Sequence, residues 1–240
     1  MKLIKDKVCV VIPCYKVKEN ILDVLKKINF NYVDKVIVVD DFCPEKSGKT
    51  AEKFNNKKVE IIYSKYNRGV GGATIFGIKK ALKEKFRIVV KLDGDGQHNP
   101  ADIKKFLLKF KNKNINFCKG TRFSDKKDIR NIPKLRLFGN IILTKISRIT
   151  CRNKDLTDVV NGFLAIRSNL LKKLPVDKIS KNYFFEEDLL FHISFFEKNI
   201  VEIPINTIYL GKSSLSPVKT IIPFFFNHLK NFLIRISHDL

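Results

Sequence analysis

The chain has 240 residues, 44% of them hydrophobic and 30% charged, enough for one α/β domain with a full core or at most two small ones, and it carries no low-complexity tract or internal repeat. Lys+Arg number 47 against 24 Asp+Glu, a net charge of +23 that attracts nucleic acid, anionic headgroups or phosphorylated substrates unless a Lys-, Asn-, Ile- and Phe-rich coding bias explains the excess. Five cysteines without a CxxC exclude a disulfide framework and a zinc site, the early charges of MKLIKDK exclude a signal peptide, and no window of roughly 18 apolar residues suggests a membrane span, so a reducing cytosol is expected.

In chain order, Val8–Pro13, Lys35–Asp41, Val59–Ser64, Arg87–Asp93 and Ile115–Thr121 read as strands. Their apolar runs are continuous rather than alternating, which predicts a parallel sheet covered on both faces. Asn20–Ile28, Ala73–Lys85 and Ala101–Lys111 read as helices between them, the last opened by Asn99-Pro100. The expected fold class is α/β, a mostly parallel, Rossmann-like central sheet flanked by helices. Ligands in such sheets bind beyond the carboxyl ends of the strands. Four successive ends are polar or glycine-rich: Pro13-Cys14-Tyr15, Asp40-Asp41, Asn67 to Gly72 with Gly71 at its centre, and Asp93-Gly94-Asp95-Gly96-Gln97-His98.

Asp93 and Asp95 are the sharpest pair. Two carboxylates two residues apart at a strand end reach one hard cation from the same side, and Mg²⁺ or Mn²⁺ prefers oxygen ligands while keeping positions for phosphate. Gln97 adds a neutral oxygen and His98 an imidazole. One of Asp40 and Asp41 suits a base N–H or a ribose hydroxyl; the other reading is a turn or helix-capping carboxylate. The glycine loop ahead of Ala73 offers exposed N–H groups to an anion but is neither a Walker A loop nor a GxGxxG.

VVIPCY, VVDD, NRGVGGAT, VVKLDGDGQH, GTRF and FFEEDLLF, in this order, resemble the family-2 inverting glycosyltransferases, and most of all the polyprenyl-phosphate sugar transferases of the dolichyl-phosphate mannosyltransferase type. The resemblance spans Val8 to Ser214. It implies the GT-A fold over residues 1–215, a nucleotide-sugar donor, and a lipid-phosphate or glycan acceptor in cell-surface polysaccharide or glycoconjugate synthesis. It implies that Pro13 and Tyr15 line the nucleotide pocket, that Asp40 or Asp41 reads base or ribose, that Asp93, Asp95 and Gln97 hold the cation, and that Arg122 faces phosphate. Asp158–Phe163 is similar to the segment that floors the acceptor side.

In YFFEEDLLF, Glu186, Glu187 and Asp188 either favour a helix dipole or include the base that deprotonates an acceptor hydroxyl. The Phe-Glu-x-Asp habit of related sequences points to Glu186 with Asp188, and the Glu-Asp habit to Glu187 with Asp188, so Asp188 is the first choice. A lipid-phosphate acceptor is already ionised and needs little help, which leaves these groups to position atoms instead.

The basic, amphipathic stretch 130–154 suits a phosphorylated lipid or an anionic membrane, or is an ordinary surface helix. Arg136 in it, and Lys212 further on, are candidates for acceptor or phosphate contact; around Tyr209 and Lys212 an acidic residue of the usual family segment is missing. Residues 216–240 predict a separate amphipathic helix with Ile222, Phe225, Phe226, Leu229, Phe232, Leu233 and Ile236 on one side, either an interfacial anchor or a final helix packed on the domain. The expected place of action is the cytoplasmic face of a membrane. The alternatives are a nucleotidyltransferase, against which VVIPCYKVKEN lacks a basic glycine-rich loop, and a nucleic-acid-binding protein, against which no recognisable module and a phosphate-repelling DGDGQ stand; no nucleic-acid partner is expected.

Overall fold

The computed structural model describes residues 3–123, 132, 134–208 and 217–237. Seven strands form one sheet in the order β3-β2-β1-β4-β6-β5-β7. The first five fall where the apolar runs predict them: β1 Val8–Cys14, β2 Lys35–Asp40, β3 Val59–Tyr63, β4 Ile88–Lys91 and β5 Phe117–Thr121. β6 (Leu164–Arg167) and β7 (Val201–Pro204) are additional. β1 pairs in parallel with β2 and β4, β2 with β3, and β5 with β7, whereas β6 runs antiparallel to both β4 and β5.

β1 explains why the runs are continuous. Val8, Val10 and Ile12 face one layer, with Ile21 and Leu25 of α1 (Ile21–Lys26) and Phe106 and Leu107 of α4 (Ile103–Lys109). Cys9 and Val11 face the other, with Ala73 and Ile78 of α3 (Gly69–Lys83). Both faces are buried, so neither tolerates a polar alternation. A short α2 (Ser47–Glu52) lies between β2 and β3. The remaining helices are α5 (Lys134–Thr150), α6 (Ser168–Leu171), α7 (Phe185–Ile193) and α8 (Pro217–Ser237).

The glycine loop departs from expectation. The helix starts at Gly69, four residues before Ala73, so the glycines sit in its first turn. A Cβ on Gly71 would lie 2.4 Å from the Ser180 carbonyl oxygen and 2.7 Å from Phe185 Cβ. Gly71 is therefore a point of close backbone approach, where the chain that enters α7 leaves no room for a side chain.

α8 and α5 are inverted relative to ordinary surface helices. On α8, Phe225 is 64% exposed and Phe226, Leu229, Phe232, Leu233 and Ile236 also face outward, whereas Asn231 is 2% exposed and His228 and Arg235 are buried. On α5, Phe138, Ile141, Ile142 and Ile149 face outward, whereas Asn140, Thr144, Ser147 and Thr150 are buried. The two helices pack on each other, and α8 also packs on α7. The reason is hydrogen bonding inward: Arg235 Nε donates to the Thr150 carbonyl at 2.8 Å and Thr144 Oγ1 to the Thr157 carbonyl at 3.3 Å. No helix among the described residues is long and apolar enough to cross a membrane.

Candidate active site

The parallel strands bring the carboxyl ends of β1, β2, β3, β4 and β5 to one edge of the sheet. Because β6 is antiparallel, its entry, Asn161-Gly162-Phe163, arrives at the same edge, with Leu164 in register with Lys91 on one side and Lys119 on the other. That crossing builds the centre of the site.

Lys91, the last residue of β4, is 1% exposed. Its Nζ lies 2.7 Å from Asp93 Oδ1 and 2.7 Å from Glu186 Oε1. Burial alone would depress the ammonium, but the two carboxylates outweigh it and raise its pKa, so the lysine stays charged. The same pairing overcomes the effect of burial on Asp93, with help from His98, and holds its carboxyl below the usual range. Gly162 makes the cluster possible: a Cβ there would stand 2.4 Å from Lys91 Nζ and 2.5 Å from Asp93 Oδ2. Neither Lys91 nor Gly162 stands out in the sequence, since a lysine in a strand reads as solvated.

Asp95 accepts the Gln97 N–H at 3.0 Å, which closes the tight turn. Burial and then the Asp93 charge push its carboxyl up to about 6. The Lys91 charge acts in the opposite direction. His98 Nδ1 is buried without a hydrogen-bond partner, 3.9 Å from Asp93 Oδ2, and burial lowers the imidazole to about 4, leaving it neutral and able to donate a lone pair. Among the described residues no three His, Cys, Asp or Glu side chains gather as a complete ligand set. The donor chemistry fits a hard cation that takes two carboxylates and fills its other positions with phosphate oxygens and water.

The three acidic residues of the FEED segment separate. Glu186 alone turns to Lys91 and Asp93. Glu187 is buried, its Oε2 3.2 Å from His228 Nε2 of α8. Asp188, the expected base, accepts the Ser180 N–H at 2.7 Å and the Asn231 side-chain N–H at 3.1 Å, buried beneath α8. Both its oxygens are thus engaged by the chain before α7 and by α8, whereas Glu186 is the acidic residue of this segment that meets Lys91.

Asp40 accepts the Cys43 N–H at 2.9 Å and the Gly48 N–H at 2.7 Å, capping the start of α2. Asp41 accepts the Arg68 N–H at 2.8 Å, and burial raises its pKa. Each thus organises a strand-end loop, as the capping alternative anticipates. Pro13 is buried within β1, and Tyr15 is exposed just beyond it. Arg122, expected to face phosphate, forms a two-pronged pair with Asp158, Nε to Oδ2 at 2.7 Å and Nη2 to Oδ1 at 2.7 Å. Asp158 is fully buried; the Arg122 charge outweighs that burial and holds its pKa down. Lys212, Tyr209 and the Arg136 side chain lie outside the described residues.

This sheet, with an acidic pair closing its fourth strand, is that of a GT-A glycosyltransferase. The glycosyl transferase family 2 model matches residues 9–175, and the chain belongs to that family. It is 30% identical over 228 residues to the UDP-N-acetylglucosamine–dolichyl-phosphate N-acetylglucosaminyltransferase of Methanococcus voltae, covering 89% of this chain and 90% of that one. It is 30% identical over 186 residues to the undecaprenyl-phosphate mannosyltransferase of Micrococcus luteus, covering 75% of each. Glucosyl-3-phosphoglycerate synthase from Mycobacterium tuberculosis, solved with Mn²⁺, UDP and phosphoglyceric acid, superposes with a TM-score of 0.71 over 96% of this chain and 78% of that one, at 14% identity, a likeness of fold.

Proposed function

We propose that the protein transfers a sugar from a nucleotide-sugar donor to a polyprenyl phosphate at the cytoplasmic face of a membrane, in one inverting displacement dependent on Mg²⁺ or Mn²⁺. The observation that carries this is the Asp93–Asp95 pair just beyond β4, with Asp93 held by Lys91 and facing the buried entry of β6 at Gly162. Asp93 and Asp95 would hold the cation, with His98 and Gln97 beside them. When bound, such an ion neutralises the donor diphosphate and the charge that grows on the leaving nucleoside diphosphate. Tyr15 and the ends of β2 and β3 form the nucleotide side. Glu186, held in place by Lys91, orients the acceptor; an ionised lipid phosphate attacks without surrendering a proton, so a positioned carboxylate suffices and no general base is required. Arg122, locked by Asp158, fixes the far wall of the site.

The lipid acceptor is supported by the outward Phe, Ile and Leu faces of the adjacent helices α5 and α8, which expose ten large apolar side chains among the described residues. Exposed Lys145 and Lys230 on the same helices, and a chain charge of +23, complement an anionic leaflet. The five cysteines are all free, in keeping with a reducing compartment.

The test is transfer from a panel of nucleotide sugars to polyprenyl phosphate in phosphatidylglycerol vesicles. The expected products are nucleoside diphosphate and an anomerically inverted glycosyl lipid, abolished by EDTA and restored by Mn²⁺. Release of pyrophosphate, or full activity in excess EDTA, overturns the proposal.

A further inference from the structure

The FEED segment sends one acidic residue to the site and two to the C-terminal helix. α7 is short, nine residues from Phe185 to Ile193, and its rotation about its own axis decides where Glu186 points. A turn of about 20° moves a side-chain atom some 6 Å from the helix axis by about 2 Å. That displacement breaks a 2.7 Å contact such as Glu186 to Lys91. The apolar core that buries Phe185, Leu189 and Phe191 and the Ser180 N–H on Asp188 hold one side of the helix, and α8 supplies the polar contacts on the other. Asn231 donates to Asp188 at 3.1 Å, and His228 Nε2 stands 3.2 Å from Glu187. Phe184, just before α7, has the rings of Phe224 and His228 edge-on at 5.3 Å and 4.8 Å. At the far end of α7, Arg235 reaches Ser194 Oγ and lies over the Phe195 ring at 3.7 Å. Four points along one face of α8 therefore engage the whole length of α7, while its other face carries exposed Phe225, Phe226 and Leu233.

We propose that Asn231 and His228 are positioning residues for sugar transfer: through Asp188 and Glu187 they fix the rotation of α7, aim Glu186 at Lys91 and Asp93, and make the seating of the outward-apolar helix a condition of activity. This rests on the site proposed above. It gives Glu187 and Asp188 a purpose that acid–base chemistry does not: they are the receptor for α8. A helix held only by apolar packing can slide and roll, whereas the directional Asn231 bond to the buried Asp188 carboxylate, with the His228 ring set against Glu187, specifies one rotation.

The experiment uses the full chain with Asn231→Leu, His228→Leu and the conservative His228→Gln, which keeps a polar N–H group beside Glu187. Amide hydrogen exchange over residues 180–193, phosphatidylglycerol-vesicle sedimentation, and kcat and KM for donor and acceptor are measured for each. Asn231→Leu and His228→Leu are expected to speed exchange in α7 and to lower kcat at least tenfold, with donor KM within twofold and vesicle binding unaltered. His228→Gln is expected to recover most of the kcat. Unchanged α7 exchange in both leucine variants overturns the inference, as does weaker vesicle binding with wild-type exchange, which would make α8 an anchor only. If wild-type protein transfers no sugar to any acceptor, the functional proposal falls, and the exchange measurement still decides whether α8 orients α7.

Discussion

Replacing Lys91 by Met tests the centre of the site most directly. Met fills much of the lysine volume without the ammonium, so the perturbation is electrostatic. In the folded protein Nζ sits 2.7 Å from each of two carboxylates. At an effective dielectric of 20 each contact is worth about 6 kcal/mol of gross attraction. That sum is offset by the repulsion between Asp93 and Glu186 and by the several kcal/mol needed to dehydrate each ion. Removing one partner of such a buried set leaves the others uncompensated, which costs about 3–5 kcal/mol. Urea denaturation without divalent ions is therefore expected to show Lys91→Met less stable by that amount. Mn²⁺ with a nucleoside diphosphate should return part of it, because a cation beside Asp93 supplies the missing positive charge. Transfer should fall by at least about a hundredfold, since Glu186 and Asp93 no longer share a fixed partner. Stability within about 1 kcal/mol of wild type, together with unchanged kcat, would refute the reasoning.

Three further outcomes follow from the geometry. Glu186→Gln should lower kcat by about a hundredfold or more with little effect on donor KM, whereas Asp188→Asn should chiefly cost about 1–3 kcal/mol of stability in thermal or urea melts, because its oxygens serve Ser180 and Asn231. Asp158→Asn should cost about 3–5 kcal/mol by removing the buried carboxylate from its two-pronged pair with Arg122. Because the Asp158 pKa is lowered on folding, its stabilisation is complete above the ordinary value of 3.8 and is lost as pH falls below it; the gap between wild type and variant in urea melts should be constant near neutrality and close in strong acid. Phe225→Ser with Phe232→Ser should weaken sedimentation with anionic vesicles by about tenfold or more, at about 1.5–3 kcal/mol per apolar side chain withdrawn from lipid, while the melting temperature stays unchanged; a lowered melting temperature with unaltered vesicle binding would mean the face is covered by protein instead, and a loss of self-association would mean a second copy covers it.

The sequence discloses the first five strands because each is a buried run of apolar residues long enough to read. β6 and β7 are four residues each, and Leu-Ala-Ile-Arg inside a longer apolar stretch has no period to distinguish it. The Asp93–Asp95 pair is legible because it stands at a strand end beside glycines. Lys91 is not, because its meaning depends on Gly162 arriving from a distant segment along an antiparallel strand that the sequence does not announce. Arg122 is legible as a basic residue at a strand end, but its pairing with Asp158 is a tertiary fact.

The FEED segment and α8 fail to resolve from sequence for one shared physical reason. Helical periodicity sorts residues into faces about 100° apart per residue, yet says nothing of which face meets the domain. Hydrophobic burial in water would put Phe225, Phe232 and Leu233 inward and Asn231 outward, and the structure does the opposite. Such an inversion is stable only if the inward polar atoms are bonded, since a buried amide or carboxylate without a partner costs more than a buried phenyl ring gains. Asp188 with Asn231, Arg235 with Thr150, and Thr144 with Thr157 supply such bonds, while the buried Glu187 and His228 side chains face each other at 3.2 Å without one. The acidic run and the polar side of the last helix are thus complementary halves of one interface, and the apolar side is left to whatever solvent lies outside. For an acceptor carried on a polyprenyl chain that solvent is lipid. The same helix rotation that exposes the phenyl rings to it also sets Asn231 and His228 against Asp188 and Glu187, in the segment whose Glu186 meets Lys91 at the edge of the sheet.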